Sequence, residues 1–265
     1  MSNPTTIQQV VDALDAIISN SIATGSRLGY FAALYNHVTC AVRDAIVRGD
    51  FQNGPRVERL DVTFANRYLT AYEQQRTDQR PTLAWLQAFE AASNDSHIIL
   101  QHLLIGMNAH INLDLGIAAA ETCPGDEIDS LHDDFDKINQ ILFRLIRPTE
   151  QDISTLSPEF RDLVNTLPFQ GRVLAGVSLV GTRDFAWHFA TTLARQTPFQ
   201  RRLEIIKRDA EVALLGFPIL TNWPIVQQVR SEESQDVANN IEVLASGEFN
   251  YTIKRHADAP PASPM

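Results

Sequence analysis

Apolar residues recur along this chain at i, i+3, i+4 and i+7 almost from end to end, and segments alternating with period two are absent. The spacing predicts a helix over residues 5–23, stopped at Gly25 and restarted from Ser26 as RLGYFAALYNHVTCAVRDAIVRG, up to Gly49. DFQNGP reads as a turn, and Pro55 leads into a third helix whose inward arc carries Val57, Leu60, Phe64 and Tyr68. A short helix, LAWLQAFEAA, follows Pro81-Thr82, and Ser93-Asn94-Asp95-Ser96 breaks the chain ahead of QHLLIGMNAHINLDLGIA, residues 101–118. Further helices are expected over 127–146 with Pro148 as the stop, after Ser157-Pro158-Glu159, through GRVLAGVSLVGTRDFAWHFATTLARQ, over 198–215 and over 224–246.

With neither hairpin turns nor a glycine-rich phosphate loop, the fold class expected is all-α, a single globular multi-helix bundle with a central buried helix. One domain is expected over residues 1–248, and the proline-rich stretch 249–265, ending RHADAPPASPM, reads as a disordered tail.

The segment at 101–118 drives the functional reading. Between Ser96 and Ala120 there is no Lys, Arg or Glu, so a solvent-facing charged stripe is missing and burial by protein is expected. At about 100° per residue, Gln101, Asn108 and Asn112 share a narrow amide stripe, while His110 and Asp114 form an i, i+4 pair able to touch. His102 lies between the two groups, and Leu104, Ile111 and Leu115 fill the remaining arc. Elsewhere Asp61, Asn66, Arg67, Asp134, Asn139 and Arg183 sit among apolar neighbours, and buried charge is costly unless paired or bound. A common polar cavity is therefore expected, with an ion pair of Arg183 to Asp114 or Asp134 as the ligand-free explanation for part of it.

Composition narrows the partners. A net charge of -10 opposes a phosphate-backbone binder, so no nucleic acid is expected. The one basic stretch, QRRLEIIKR at 200–208, places Leu203, Ile206 and Ala210 on one side and its charges on another, and reads as a solvated helix face. The N-terminus lacks a basic, cleavable leader and no membrane span is expected, which points to a cytoplasmic protein; Cys40 and Cys123 fit no zinc or disulfide pattern.

Three readings of the polar cluster remain open. In the first, His110 and Asp114 with His102 hold Zn or Fe, and Asp134 joins the catalysis of a hydrolase-like reaction on a small-molecule substrate. His132-x-x-x-Asp136 repeats the i, i+4 spacing at the rim of another helix. In the second, a metal-free cyclase, isomerase or lyase uses Asp114 to orient His110 as general base, while Arg67, Asn66, Asn108, Asn112 and Asn139 bind the substrate. In the third, the protein only binds a ligand or a partner.

FANRYL at 64–69, QHLLIGMNAHINLDLGIA at 101–118 and DFDKIN at 134–139 together resemble a bacterial all-helical family known only as a domain of unknown function. The resemblance extends to about residue 245 and supplies no reaction. It implies that Asn66, Arg67, His102, Asn108, His110, Asn112, Asp114, Asp134 and Asn139 belong to the family's motifs.

Overall fold

The computed structural model describes residues 3–157 and 184–246, apart from the side chains at 139, 142–148 and 150. Among the described residues every regular element is helical. Numbered along them, the helices are α1 Ile7–Thr24, α2 Leu28–Arg48, α3 Gly54–Arg76, α4 Leu83–Ala92 and the central α5, Ile99–Thr122. A 3-10 turn, Gly125–Leu131, leads to α6 His132–Leu156. The series continues with α7 at 184–194, α8 Pro198–Leu220, α9 Pro224–Glu232 and α10 Val237–Ser246.

Local chemistry sets the boundaries. Gly25 and Gly49 adopt φ of 64° and 76°, the left-handed conformation that ends α1 and α2. The Asn53 side chain accepts from the Arg56 amide ahead of Pro55, so α3 starts at the expected turn. Two expectations are corrected. The helix expected to stop at Pro148 runs to Leu156, and the segment 224–246 is two helices separated at 233–236. The helix starts expected after Ser157, and Arg183, lie outside the described residues.

α5 forms the axis of the bundle. It is long and apolar enough to cross a membrane, yet 89% of its most apolar window is buried inside the protein. α2, α3, α4 and α8 pack around it, with Leu103, Ile105, Leu113 and Ile117 in the core and Leu104 at the rim. Gly106 permits a close approach: a Cβ there would come within 2.5 Å of the Phe31 ring. Phe31 thereby stands beside the histidine one turn further on.

The central helix is not α-helical throughout. His110–Leu115 winds as a π-helix, a geometry that disturbs the regular backbone ladder. Arg208 of α8 donates from Nε to the Asn112 carbonyl at 2.9 Å, supplying a buried partner inside this segment. Arg208 itself is buried, its guanidinium 3.5 Å from the centre of the Phe185 ring. This inverts the sequence expectation for 200–208: the arginine turns inward to the π segment, while Leu203, Ile206 and Ala210 face outward. Helical spacing identifies the two faces of α8 but not which one a buried carbonyl claims.

Candidate functional site

The site is built around Asp114, brought by the π segment to face α3 and α4. Its Oδ1 accepts from Arg67 Nε at 2.7 Å, and its Oδ2 accepts from Trp85 Nε1 at 2.7 Å. His110 Nδ1 lies 3.4 Å from the same Oδ2. Asp114 is buried, whereas the Arg67 side chain keeps 25% of its surface exposed, so the arginine links the buried carboxylate to solvent. Burial works to raise the Asp114 carboxyl, but Arg67, His110 and Trp85 outweigh it and hold the group below the usual carboxylate value. Asp114 is therefore ionised at neutral pH.

His110 sits in an aromatic box. Phe64 stacks on its ring with centroids 3.6 Å apart and planes 9° apart, and Tyr35 meets it edge-on at 4.4 Å. Phe31 and Trp85 complete the surround at 5.7 and 5.8 Å. Burial pushes the imidazole below its ordinary value of 6.5 against the pull of Asp114, so the ring is neutral at neutral pH. A neutral ring that donates from Nδ1 to Asp114 leaves Nε2 as an acceptor. That Nε2 is buried and has no hydrogen-bond partner.

Two further buried oxygens are unpartnered near this box: the Tyr35 hydroxyl and Oδ2 of Asp61. Burial raises the Asp61 carboxyl to about 7, with Glu58 adding to the effect. The Tyr35 hydroxyl is raised well above 10 by burial, with help from Asp61 and Asp114. Native interiors carry few such orphaned groups, and each requires a reason.

The remaining residues expected at the site fall elsewhere. His102 does not join His110 and Asp114; eight residues earlier on α5, it is about 12 Å away along the axis. It packs against Tyr30 and His97, and burial followed by His97 and Arg27 lowers it to about 3. Between it and the aromatic box lies a cavity of about 20 Å³, lined by Phe31, Tyr68, Trp85 and Phe89, with room for about one water. Among the described residues no three His, Cys, Asp or Glu side chains converge as a metal would require, so the expected ligand set of His102, His110 and Asp114 is not assembled.

Asp134 is separated from Asp114 too. It accepts from the Gln52 and Asn53 amides at 2.7 and 3.1 Å and pairs with Arg56 at 2.9 Å, clamping the turn between α2 and α3. Arg56 and Arg67 are eleven residues apart on α3, about 16 Å along its axis. Asp114 and Asp134 thus each pair with an arginine of α3; the Arg183 considered from the sequence lies outside the described residues.

Asn66 donates to the Pro4 carbonyl, tying down the start of the chain. The amide stripe exists as expected but faces α8: Gln101 donates to the carbonyls of Ile219 and Thr221, Asn108 to that of Val212, and Asn112 to the Asn108 side chain. These amides fasten two helices, and the Asn112 Oδ1 is buried without a hydrogen-bond partner. The side chain of Asn139 lies outside the described residues. His132 and Asp136, 3.7 Å apart, are half exposed at the rim.

Sequence reasoning missed Trp85, which sits on a short apolar helix and shows its role only through the indole donor. A wider surface groove of about 590 Å³, between the start of α1 and the end of α3, is lined by residues such as Asp12, Leu69, Tyr72 and Glu73; none of the expected site residues borders it.

The model of a family of unknown function (DUF5995) matches residues 7–222. No curated protein and no solved structure matches the chain.

Proposed function

The chain belongs to that family, DUF5995, and we propose that it is an enzyme acting on a small molecule by metal-free acid–base chemistry at His110 and Asp114. The observation that carries this reading is the unpartnered Nε2 of His110, on a ring whose other nitrogen is turned toward an ionised, doubly anchored carboxylate. Such a ring is a general base: Nε2 takes the substrate proton, and Asp114 stabilises the imidazolium that forms. A separation of 3.4 Å is long for a working hydrogen bond and is of the kind that tightens when a substrate binds. The exposed edge of Arg67 suits the polar end of the substrate. Phe64, half-buried and parallel to the imidazole, is the group whose displacement admits a flat molecule to Nε2. Proton-transfer reactions fit: isomerisation, cyclisation or elimination.

A second reading, favoured by the small cavity beside the box, makes the four residues a polar pin without catalysis. The two are separated by His110→Phe, which retains the aromatic packing and removes both nitrogens. Turnover is assayed over a panel of enolisable ketones, β-hydroxy acids and conjugated acids, alongside thermal unfolding. The enzymatic reading expects turnover in the wild type that is lost in the variant, with the variant still folded and only modestly destabilised by the loss of the Nδ1 donor to Asp114. A variant that unfolds several degrees earlier, with no wild-type turnover on the panel, overturns it.

A further inference from the structure

α8 presents an unusual outer face. Phe199, Leu203, Ile206, Leu214 and Phe217 are 72%, 52%, 59%, 65% and 63% exposed, and Ala210 lies exposed among them. At 100° per residue, positions 199, 203, 206, 210, 214, 217 and 221 fall within about 80° of arc, so they form one straight stripe down the helix. Its inner face is committed to the central helix through Arg208, Val212 and the carbonyls that accept from Gln101. Among the described residues no element covers the outer stripe.

The spacing of the stripe is symmetric about Ala210. Turned end for end on that residue, it places Ile206 opposite Leu214, Leu203 opposite Phe217 and Phe199 opposite Thr221, with the smallest side chain at the crossing. We propose that this face is a two-fold interface with a second copy of the chain, two α8 helices packing antiparallel across Ala210. An isologous contact needs a patch complementary to itself, and this one is. Five side chains, each half-exposed or more, offer on the order of 100 Å² of apolar surface apiece. Two copies together bury on the order of 1,000 Å², the least that a specific interface needs.

Charge favours a second copy over a lipid surface. Lys207, at the edge of the stripe, lies 3.6 Å from Glu204 and 3.8 Å from Glu211 on its own helix, so two stripes meet with little like-charge repulsion near the crossing. That pairing leaves Arg202, exposed on the opposite edge, as a free cation beside the stripe among the described residues, a single charge to attract anionic lipid on a chain that carries -10 as a whole.

The test uses the full chain with Cys40→Ser as background. Sedimentation at micromolar concentration is expected to give about twice the monomer mass of 29.6 kDa, and Leu203→Glu with Leu214→Glu to return the monomer mass with the melting curve retained. Ala210→Cys places two thiols at the axis and is expected to form a disulfide-linked dimer on mild oxidation. Arg202→Cys, whose symmetry mate is about 24 Å away, is expected to form none. A wild type that stays monomeric up to 100 µM overturns the proposal. So does a dimer that cross-links equally through both cysteines, or a monomer that pellets with phosphatidylserine vesicles.

Discussion

Arg67 of α3 and Asp114 of the central helix meet at 2.7 Å, the arginine partly in solvent and the carboxylate wholly out of it. The asymmetry sets what each substitution does. Arg67→Met leaves a buried carboxylate short of its main cation and is expected to cost about 2–4 kcal/mol, less than a fully buried pair would because Arg67 is a quarter exposed. Arg67→Met combined with Asp114→Leu recovers much of that loss. Chemical denaturation of the two single variants and the double variant measures it; additive losses would mean that the residues do not act as a pair.

Trp85 contributes one charge-assisted hydrogen bond and a large buried surface. Trp85→Phe keeps most of the surface and removes the donor to Asp114, for an expected loss of about 1.5–3 kcal/mol. With that donor gone, the Asp114 carboxyl should also rise. Its titration by carbon-detected NMR in the variant checks this, and an unmoved value contradicts the assigned hydrogen bond.

Asp134 and Asp114 are independent. Asp134→Asn is expected to weaken the α2–α3 turn, which loses charge on three accepting bonds, while leaving the imidazole of His110 untouched. Thermal unfolding shows the first effect and the His110 ring resonances show the second. Movement of those resonances would place Asp134 in the site after all.

Glu233 and His102 have opposite pH signatures. Glu233 accepts from the Ile99 amide at the start of the central helix, and burial raises it to about 7. A raised acid contributes stability below its unfolded value that is lost as pH rises through about 7. His102, lowered to about 3, contributes stability above 6.5 that is lost as pH falls toward 3. The melting temperature of Glu233→Gln relative to wild type should therefore rise between pH 5 and pH 8, and that of His102→Leu should rise between pH 7 and pH 4. Parallel curves for variant and wild type would contradict either assignment.

Much of this was legible in the sequence where the cause is local. Gly25, Gly49 and Pro55 mark helix ends through their own backbone chemistry, and the i, i+4 spacing of His110 and Asp114 brought the pair together as expected. The amide stripe was legible as a stripe, but its partners were not, because Ile219, Thr221 and Val212 offer backbone carbonyls that any sequence would offer. Arg67 and Arg56 were not assigned to their aspartates for a similar reason: pairing across helices depends on which turns of α3 face α5 and α6. The inward turn of Arg208 follows from a π segment, which periodicity at 3.6 residues per turn does not register.

The proton inventory of His110 tests the proposed chemistry most directly. Long-range proton–nitrogen correlation spectra of the folded protein report which ring nitrogen carries hydrogen and whether the ring is charged. The expected result is a neutral ring with hydrogen on Nδ1 and a bare Nε2, holding that form as pH falls below 6.5. A ring with hydrogen on Nε2, or an imidazolium at pH 7, would contradict it, since neither has a lone pair on Nε2 to take the substrate's proton.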